Sequence, residues 1–93
     1  MQQQKVTVHG FVSGRVQGVF FRAETCRKAG ELELDGWVKN CPDGRVEFLA
    51  RGNRGNIQQL QEWLRLGPRL ARVDELVFEQ VDSRPARGFR ITD

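Results

Sequence analysis

A short segment near the N-terminus carries the residues best suited to chemistry. Gly14–Arg22 reads Gly-Arg-Val-Gln-Gly-Val-Phe-Phe-Arg and joins an alternating apolar segment to one with helical spacing. A glycine-bounded loop leading into a helix leaves backbone N–H groups unpaired, and these groups and the helix dipole favour an anion. Arg22, in the first helical turn, can reach the same place and grip two phosphate oxygens with its guanidinium. The segment therefore predicts a site for a phosphate-like anion.

Other phosphate-binding motifs do not match this loop. It has no Gly-Lys-Ser/Thr sequence, which excludes a Walker loop, and it lacks the third glycine of a dinucleotide fingerprint. From the local pattern alone, an ordinary structural turn between a strand and a helix remains an equally good interpretation.

Two helices are expected to follow from apolar positions that share one face. In the first helix the residues on this face are Phe21, Thr25, Ala29 and Leu32. In the second helix the residues on this face are Ile57, Leu60, Trp63 and Leu64. Asn53 or Asn56 can cap the start of the second helix, and Gly67-Pro68 ends it.

Strands are expected from alternating or β-rich segments. They cover residues 5–12, 36–41, 45–50, 72–81 and 89–91. The second and third form a hairpin around the turn Pro42-Asp43-Gly44. The order is β-α-β-β-α-β with a short C-terminal strand, and two helices can cover only one face of one sheet. This order predicts an α+β, ferredoxin-like split βαβ fold with an antiparallel sheet of central order 4-1-3-2. We expect a single domain over residues 1–93.

The bulk composition is that of an ordinary globular domain. The net charge of +3 is spread along the chain rather than gathered with aromatic residues, unlike a typical nucleic-acid-binding surface. Cys26 and Cys41 are too few for a disulfide scaffold, and their spacing matches no metal motif. The N-terminal Met-Gln-Gln-Gln-Lys has no apolar stretch like that of a signal peptide, and no apolar run is long enough for a membrane span. We therefore expect a cytoplasmic protein.

Several motifs together resemble the acylphosphatase family. Gly14–Arg22 is similar to the family signature Gly-x-Val-Gln-Gly-Val-x-Phe-Arg. Gly36–Asn40 followed by Asp43-Gly44 resembles its second signature, and Phe89–Ile91 resembles its last strand. The similarity also includes Trp63-Leu64 and Gly67-Pro68, so it covers nearly the whole chain in register.

The resemblance implies hydrolysis of the carboxyl–phosphate bond of acyl phosphates, without a metal or other cofactor. It places the phosphate-binding loop at these residues: Arg15, Val16, Gln17, Gly18 and Val19. Arg22 matches the essential phosphate-binding arginine, and Asn40 matches the asparagine that positions the attacking water. The expected partner is a small acyl phosphate, with no nucleic acid and no membrane, and the chain is expected to be a monomer.

Physical chemistry is consistent with these implied roles. The leaving group is a carboxylate, so the reaction needs positioning and charge stabilisation more than strong general acid catalysis. Backbone amides and one arginine supply the stabilisation, and a neutral carboxamide can hold a water. No paired carboxylates or Ser-His-Asp set is therefore needed.

The chain departs from the family pattern at two positions. The family commonly has glycine where this chain has Glu33, and a non-glycine residue in a left-handed helix cap costs roughly 1 kcal/mol. Cys41 replaces a common threonine beside Asn40 and is interpreted as a tolerated small residue.

Two other functions remain open at this point. A non-enzymatic module that binds small anions could use the same fold, although phosphate binding alone would not require Asn40. An RNA-binding module could share the topology, but the sequence Arg87-Gly88-Phe89-Arg90 lacks the aromatic pattern that such a module uses.

Overall fold

A computed structural model describes residues 4–92, which form one sheet and two helices in alternating order. The elements are β1 (Lys5–Arg15), α1 (Phe21–Glu31), β2 (Asp35–Asn40), β3 (Val46–Asn53), α2 (Arg54–Leu66), β4 (Arg72–Val81) and β5 (Phe89–Ile91). The α+β ferredoxin-like fold is therefore confirmed. Over the described residues, neither helix is long and apolar enough to cross a membrane.

The strand order is β4-β1-β3-β2-β5. The four central strands pair antiparallel in the predicted order, but β5 pairs parallel to β2. The sheet is thus mixed, which corrects the expectation of an antiparallel sheet. The reason is topological: β4 ends at the same end of the sheet at which β2 starts. A chain that crosses there to the far edge must enter β5 in the direction of β2.

The core lies between the helices and one face of the sheet. Both helices bury the predicted face, with Leu32 and Trp63 only partly buried at its margin. The fully buried helix residues are Phe21, Thr25, Ala29, Ile57, Leu60 and Leu64. They pack on a sheet face that includes Val12, Val38 and Phe48, each 0% exposed. This packing fixes where α1, and hence the loop before it, sits over the sheet.

The end of α1 explains the unusual residue at position 33. The Leu34 N–H donates to the Ala29 carbonyl at 2.9 Å, and the Glu33 N–H donates to the Gly30 carbonyl at 3.1 Å. This pair of bonds is a Schellman motif, whose penultimate position favours glycine because it needs a left-handed backbone. Glu33 occupies that position with φ of 56°. The helix ends at Glu31, and Glu33 adopts the strained conformation in place of a glycine.

The start of α2 differs from the sequence expectation. Asn53 occupies the N-cap position, but its side chain makes no capping hydrogen bond. Asn56 instead donates from its side-chain amide to the Leu32 carbonyl at 3.0 Å, which links α2 to the end of α1. Asn53 thus stands at the predicted N-cap position without a side-chain capping bond, and a tertiary contact engages Asn56.

Candidate active site

The loop from β1 to α1, residues 16–20, has a backbone shaped to hold an anion. Its φ angle is 75° at Gly18 and 63° at Phe20, and it is not positive at Gln17 or Val19. Alternating the sign of φ in this way turns successive N–H groups to one side and makes a concave nest for an anion. A left-handed backbone costs an L residue such as Phe20 roughly 1–2 kcal/mol. The strained backbone of Phe20 thus lies at the edge of this anion nest.

The N–H groups of this loop are available to a ligand. Within residues 4–92, those of residues 17–20 donate to no backbone carbonyl. The first N–H that pairs back along α1 is that of Glu24, which donates to the Phe20 carbonyl at 3.0 Å. The preceding N–H groups of the first helical turn therefore stay free, and the helix dipole favours negative charge at this place.

Buried side chains hold the loop in position. Val16 and Val19 are 1% and 5% exposed and anchor the loop in the core. The Gln17 side-chain amide donates to the Cys41 carbonyl at 2.9 Å and to the Arg45 carbonyl at 3.0 Å. Gln17 thereby ties the loop to the β2–β3 hairpin. Gln17 lies in the predicted loop, but this bridge could not be predicted from local pattern, because its two partners lie 24 and 28 residues away along the chain.

Arg22 and Asn40 line the same cavity, of about 290 Å³, together with Val16 and Gly18. Arg22 is half-buried in the first turn of α1, and Asn40 ends β2. The Asn40 Oδ1 atom is buried and has no hydrogen-bond partner among the described residues. The fold thus brings Arg22, part of the loop backbone and the Asn40 carboxamide to one small cavity, although Arg22 and Asn40 lie on different elements.

Other predicted loop residues lie away from this cavity. Arg15 is exposed at the end of β1, opposite Arg72 of β4, and its side chain does not line the cavity. The Gln17 side chain contacts the hairpin, and Val19 faces a neighbouring groove. Four residues that were not predicted as part of the site also line the cavity: Phe20, Phe21, Ala23 and Ile91. Phe20 and Ala23 lie in or beside the signature motif, but no sequence signal marks Ile91.

Cys41 lies on the other face of the sheet from the cavity, because successive strand residues point to opposite faces. Its thiol lies 3.8 Å from Glu47, which also contacts His9 at 2.6 Å. Burial is the main cause that raises the pKa of the Cys41 thiol, and the negative charges of Glu47 and Asp43 raise it further. Both cysteines are free. The thiol is thus protonated at neutral pH and turned away from the candidate site.

Glu47 is the centre of a small charged cluster on this open face. Partial burial acts to raise the pKa of the Glu47 carboxyl, but the His9 hydrogen bond and the positive charge of Lys39 outweigh burial and lower it. Among residues 4–92, no three or more His, Cys, Asp or Glu side chains are grouped as they would be around a metal ion.

Known proteins match this chain over nearly its whole length. The Acylphosphatase family model matches residues 8–91. An acylphosphatase of Methylococcus capsulatus is 56% identical over 69 residues, which are 74% of this chain and 75% of that protein. One from Pseudomonas aeruginosa is 45% identical over 85 residues, 91% of this chain and 93% of that protein. The structure of an acylphosphatase from Coxiella burnetii superposes with a TM-score of 0.93 at 42% identity, covering 99% of both chains.

The α+β fold with a five-stranded sheet is shared with the acylphosphatase from Coxiella burnetii. The chain belongs to the acylphosphatase family. It is an enzyme that hydrolyses acyl phosphates, which confirms the activity inferred from the sequence motifs.

Proposed function

We propose that the amides of the β1–α1 loop and the Arg22 guanidinium bind the phosphoryl group, and that Asn40 positions the attacking water. One observation carries this proposal: Arg22, Gly18 and Asn40 line a single cavity. A carboxamide can both donate and accept hydrogen bonds, so Asn40 can hold a water beside a phosphoryl group bound in that cavity without acting as a base.

The reaction then follows from the geometry. The water oxygen attacks phosphorus while the bond from phosphorus to the acyl oxygen breaks, and the electron pair of that bond leaves with the carboxylate. One water proton passes to a phosphoryl oxygen, so no protein base is required. The loop amides and Arg22 stabilise negative charge on the equatorial phosphoryl oxygens, the largest contribution that such a site can make. The products are a carboxylate and inorganic phosphate.

Variants of Arg22 and Asn40 test the two roles separately. Arg22 contacts the phosphoryl group in both the ground and transition states, so Arg22→Ala should weaken phosphate binding and lower kcat/KM. Arg22→Lys should not restore activity, because an ammonium group cannot form the two-point contact. Arg27 on the outer face of α1 pairs with Glu24 and Glu31, so Arg27→Ala is a matched control expected to keep its rate.

Asn40→Ala should lower kcat by on the order of 100-fold or more while phosphate still binds with unchanged affinity. Asn56→Ala serves as the control, because the Asn56 side-chain amide donates to the Leu32 carbonyl and Asn56 does not line the cavity. Phosphate affinity by calorimetry, kcat on acetyl phosphate and circular dichroism are needed for every variant. Loss of phosphate binding with kcat preserved in Asn40→Ala would contradict the water-positioning role. Absence of hydrolysis by the unmodified chain would favour a non-enzymatic anion-binding module.

We also propose that the chain works as a monomer in the cytoplasm and does not bind nucleic acid. The support is chemical: both cysteines are free thiols, and the net charge of +3 is not concentrated in one segment. Light scattering during gel filtration tests whether the chain is a monomer. A titration with a labelled RNA oligonucleotide tests whether it binds nucleic acid. A dimer mass or tight RNA binding would overturn them.

A further inference from the structure

A second concave surface adjoins the candidate active site. We call it the apolar groove and define it by Phe20 and Ala23 on one side and Pro68 and Leu70 on the other; its volume is about 470 Å³. Phe20 and Ala23 also line the cavity that holds Arg22 and Asn40. The groove and the candidate active site are therefore adjacent, with Phe20 and Ala23 bordering both.

The groove exposes apolar side chains that contribute little to the core. Phe20 is 73% exposed and has a left-handed backbone, and Leu70 is 61% exposed. An exposed aromatic ring on a strained residue gains little from burial, so folding does not account for its presence. A contiguous exposed apolar surface beside a polar site is typical of a ligand-binding groove.

Topology places the groove on the side of the loop from which the leaving group departs. Asn40 lies on β2, whereas Leu70 immediately precedes β4. Because β1 lies between β4 and β3 in the sheet, the loop after β1 separates Asn40 from the groove. In-line displacement puts the attacking water and the leaving group on opposite sides of phosphorus. With the water at Asn40, the acyl group points toward Phe20 and Leu70.

We propose that the apolar groove binds the acyl group of the substrate and makes the enzyme selective for acyl phosphates with aromatic or branched apolar acyl groups. This inference rests on the proposed roles of Arg22 and Asn40. A cavity of roughly 150 Å³ is enough to take up benzene in other proteins, so the groove has room for a phenyl ring. Phe20 offers its ring for stacking, and Leu70 closes the opposite side.

The charges at the groove are compatible with an uncharged acyl group. Glu24 lines the groove, but its carboxylate accepts a hydrogen bond from Arg27 at 3.0 Å. Arg69 also lines the groove and forms no ion pair among the described residues. Its positive charge attracts the anionic substrate as a whole. An acyl group that ends in a carboxylate, as in succinyl phosphate, would pair with Arg69. Succinyl phosphate therefore tests the alternative that the groove prefers a charged acyl group.

The test compares kcat/KM for acetyl, isobutyryl, benzoyl and succinyl phosphate on the unmodified enzyme and on variants of the groove. A fully buried methylene increases binding about fourfold, so benzoyl phosphate should exceed acetyl phosphate by roughly 10- to 100-fold. Leu70→Ala and Leu70→Asp should reduce the ratio of benzoyl to acetyl phosphate by about threefold and about tenfold. The ratio cancels any effect common to both substrates, such as repulsion of the phosphoryl group by a new carboxylate. Phe20→Gly, which tolerates the positive φ, should reduce the same ratio.

Leu66→Ala is the matched control, because Leu66 is 78% exposed nearby but does not line the groove. Competition by benzylphosphonate and methylphosphonate provides a second readout that does not depend on turnover. Equal kcat/KM for all four substrates, a preference for succinyl phosphate, or a ratio unchanged in Leu70→Asp would overturn the proposal. In each of these outcomes the unmodified enzyme still hydrolyses acetyl phosphate, and Arg22→Ala and Asn40→Ala stay impaired. Failure of the proposed roles would instead appear as full activity of those two variants.

Discussion

The bridge from Gln17 to the hairpin connects the two halves of the candidate site, and removing it should affect both stability and rate. Gln17→Met keeps the length of the side chain and deletes the two N–H donors. The Cys41 carbonyl also accepts from the Gly44 N–H at 3.1 Å, and the Arg45 carbonyl accepts from the Cys41 N–H at 2.8 Å. Neither carbonyl is therefore left without a partner in the variant.

The variant therefore loses the net contribution of two hydrogen bonds, without the additional penalty of leaving two carbonyl acceptors unpaired. Each bond contributes about 0.5–1.5 kcal/mol, so Gln17→Met should lower the free energy of unfolding by ~2 kcal/mol. For a domain of this size that change lowers Tm by roughly 8–16 °C. The loop also loses its connection to the strand end that carries Asn40. A misplacement of about 1 Å can reduce the rate by about 100-fold, so kcat should fall by roughly 10- to 100-fold.

Calorimetry gives Tm, and phosphate release from acetyl phosphate at saturation gives kcat. Gln59→Met is the control, because Gln59 is exposed on α2. A Gln17→Met variant with the Tm and kcat of the unmodified chain would refute the reasoning. A lower Tm with unchanged kcat would show that the bridge stabilises the fold without positioning the site.

Further predictions concern the strained cap, the charged cluster, cofactors and the thiols. Glu33→Gly should raise the free energy of unfolding by about 1 kcal/mol, because glycine tolerates the left-handed backbone; an unchanged denaturant midpoint would contradict this. Glu47 has a lowered pKa, so its stabilising effect is present above the ordinary carboxyl pKa of about 4.5 and is lost as the pH falls through its folded-state pKa. The stability difference between Glu47→Gln and the unmodified chain should shrink in that acid range, and a constant difference would be evidence against the His9 contact. Activity should persist in a metal chelator, with phosphate and sulfate competing for the nest; loss in chelator that a divalent ion restores would indicate a metal. The double variant Cys26→Ser, Cys41→Ser should keep most of its activity, and a folded but inactive variant would show a role for a thiol.

Much of the fold could be predicted from local sequence pattern. The change of apolar period at Phe21 marks the start of α1, and Gly67-Pro68 marks the end of α2. Two helices can cover only one face of one sheet, and together with the β-α-β-β-α-β succession this is typical of the central strand order that the structure has. The parallel pairing of β5 could not be predicted this way, because it depends on which end of the sheet β4 reaches.

Arg22 is a candidate from its residue type and its place at the start of a helix, whereas Asn40 is a candidate only through the resemblance to the family. Both line the cavity, and their roles stay predictions. Features that depend on backbone shape or distant partners were not predictable from local pattern. Phe20 has a positive φ that no bulky side chain favours, and packing around the loop imposes it. Gln17 contacts carbonyls on the hairpin, and Ile91 reaches the cavity only because β5 pairs with β2.

The short strand β5 also protects the sheet from pairing with other chains. Without β5, the six-residue strand β2 would present a row of unpaired N–H and C=O groups, the template on which sheets of different molecules join. Only three residues of β5 cover it, supported by a bond from the Cys26 thiol to the Phe89 carbonyl at 3.2 Å. The opposite edge, β4, is ten residues long and carries acidic side chains at Asp74, Glu75 and Glu79, whose charges oppose such joining. One edge of the sheet thus resists aggregation by charge, and the other depends on three residues near the C-terminus.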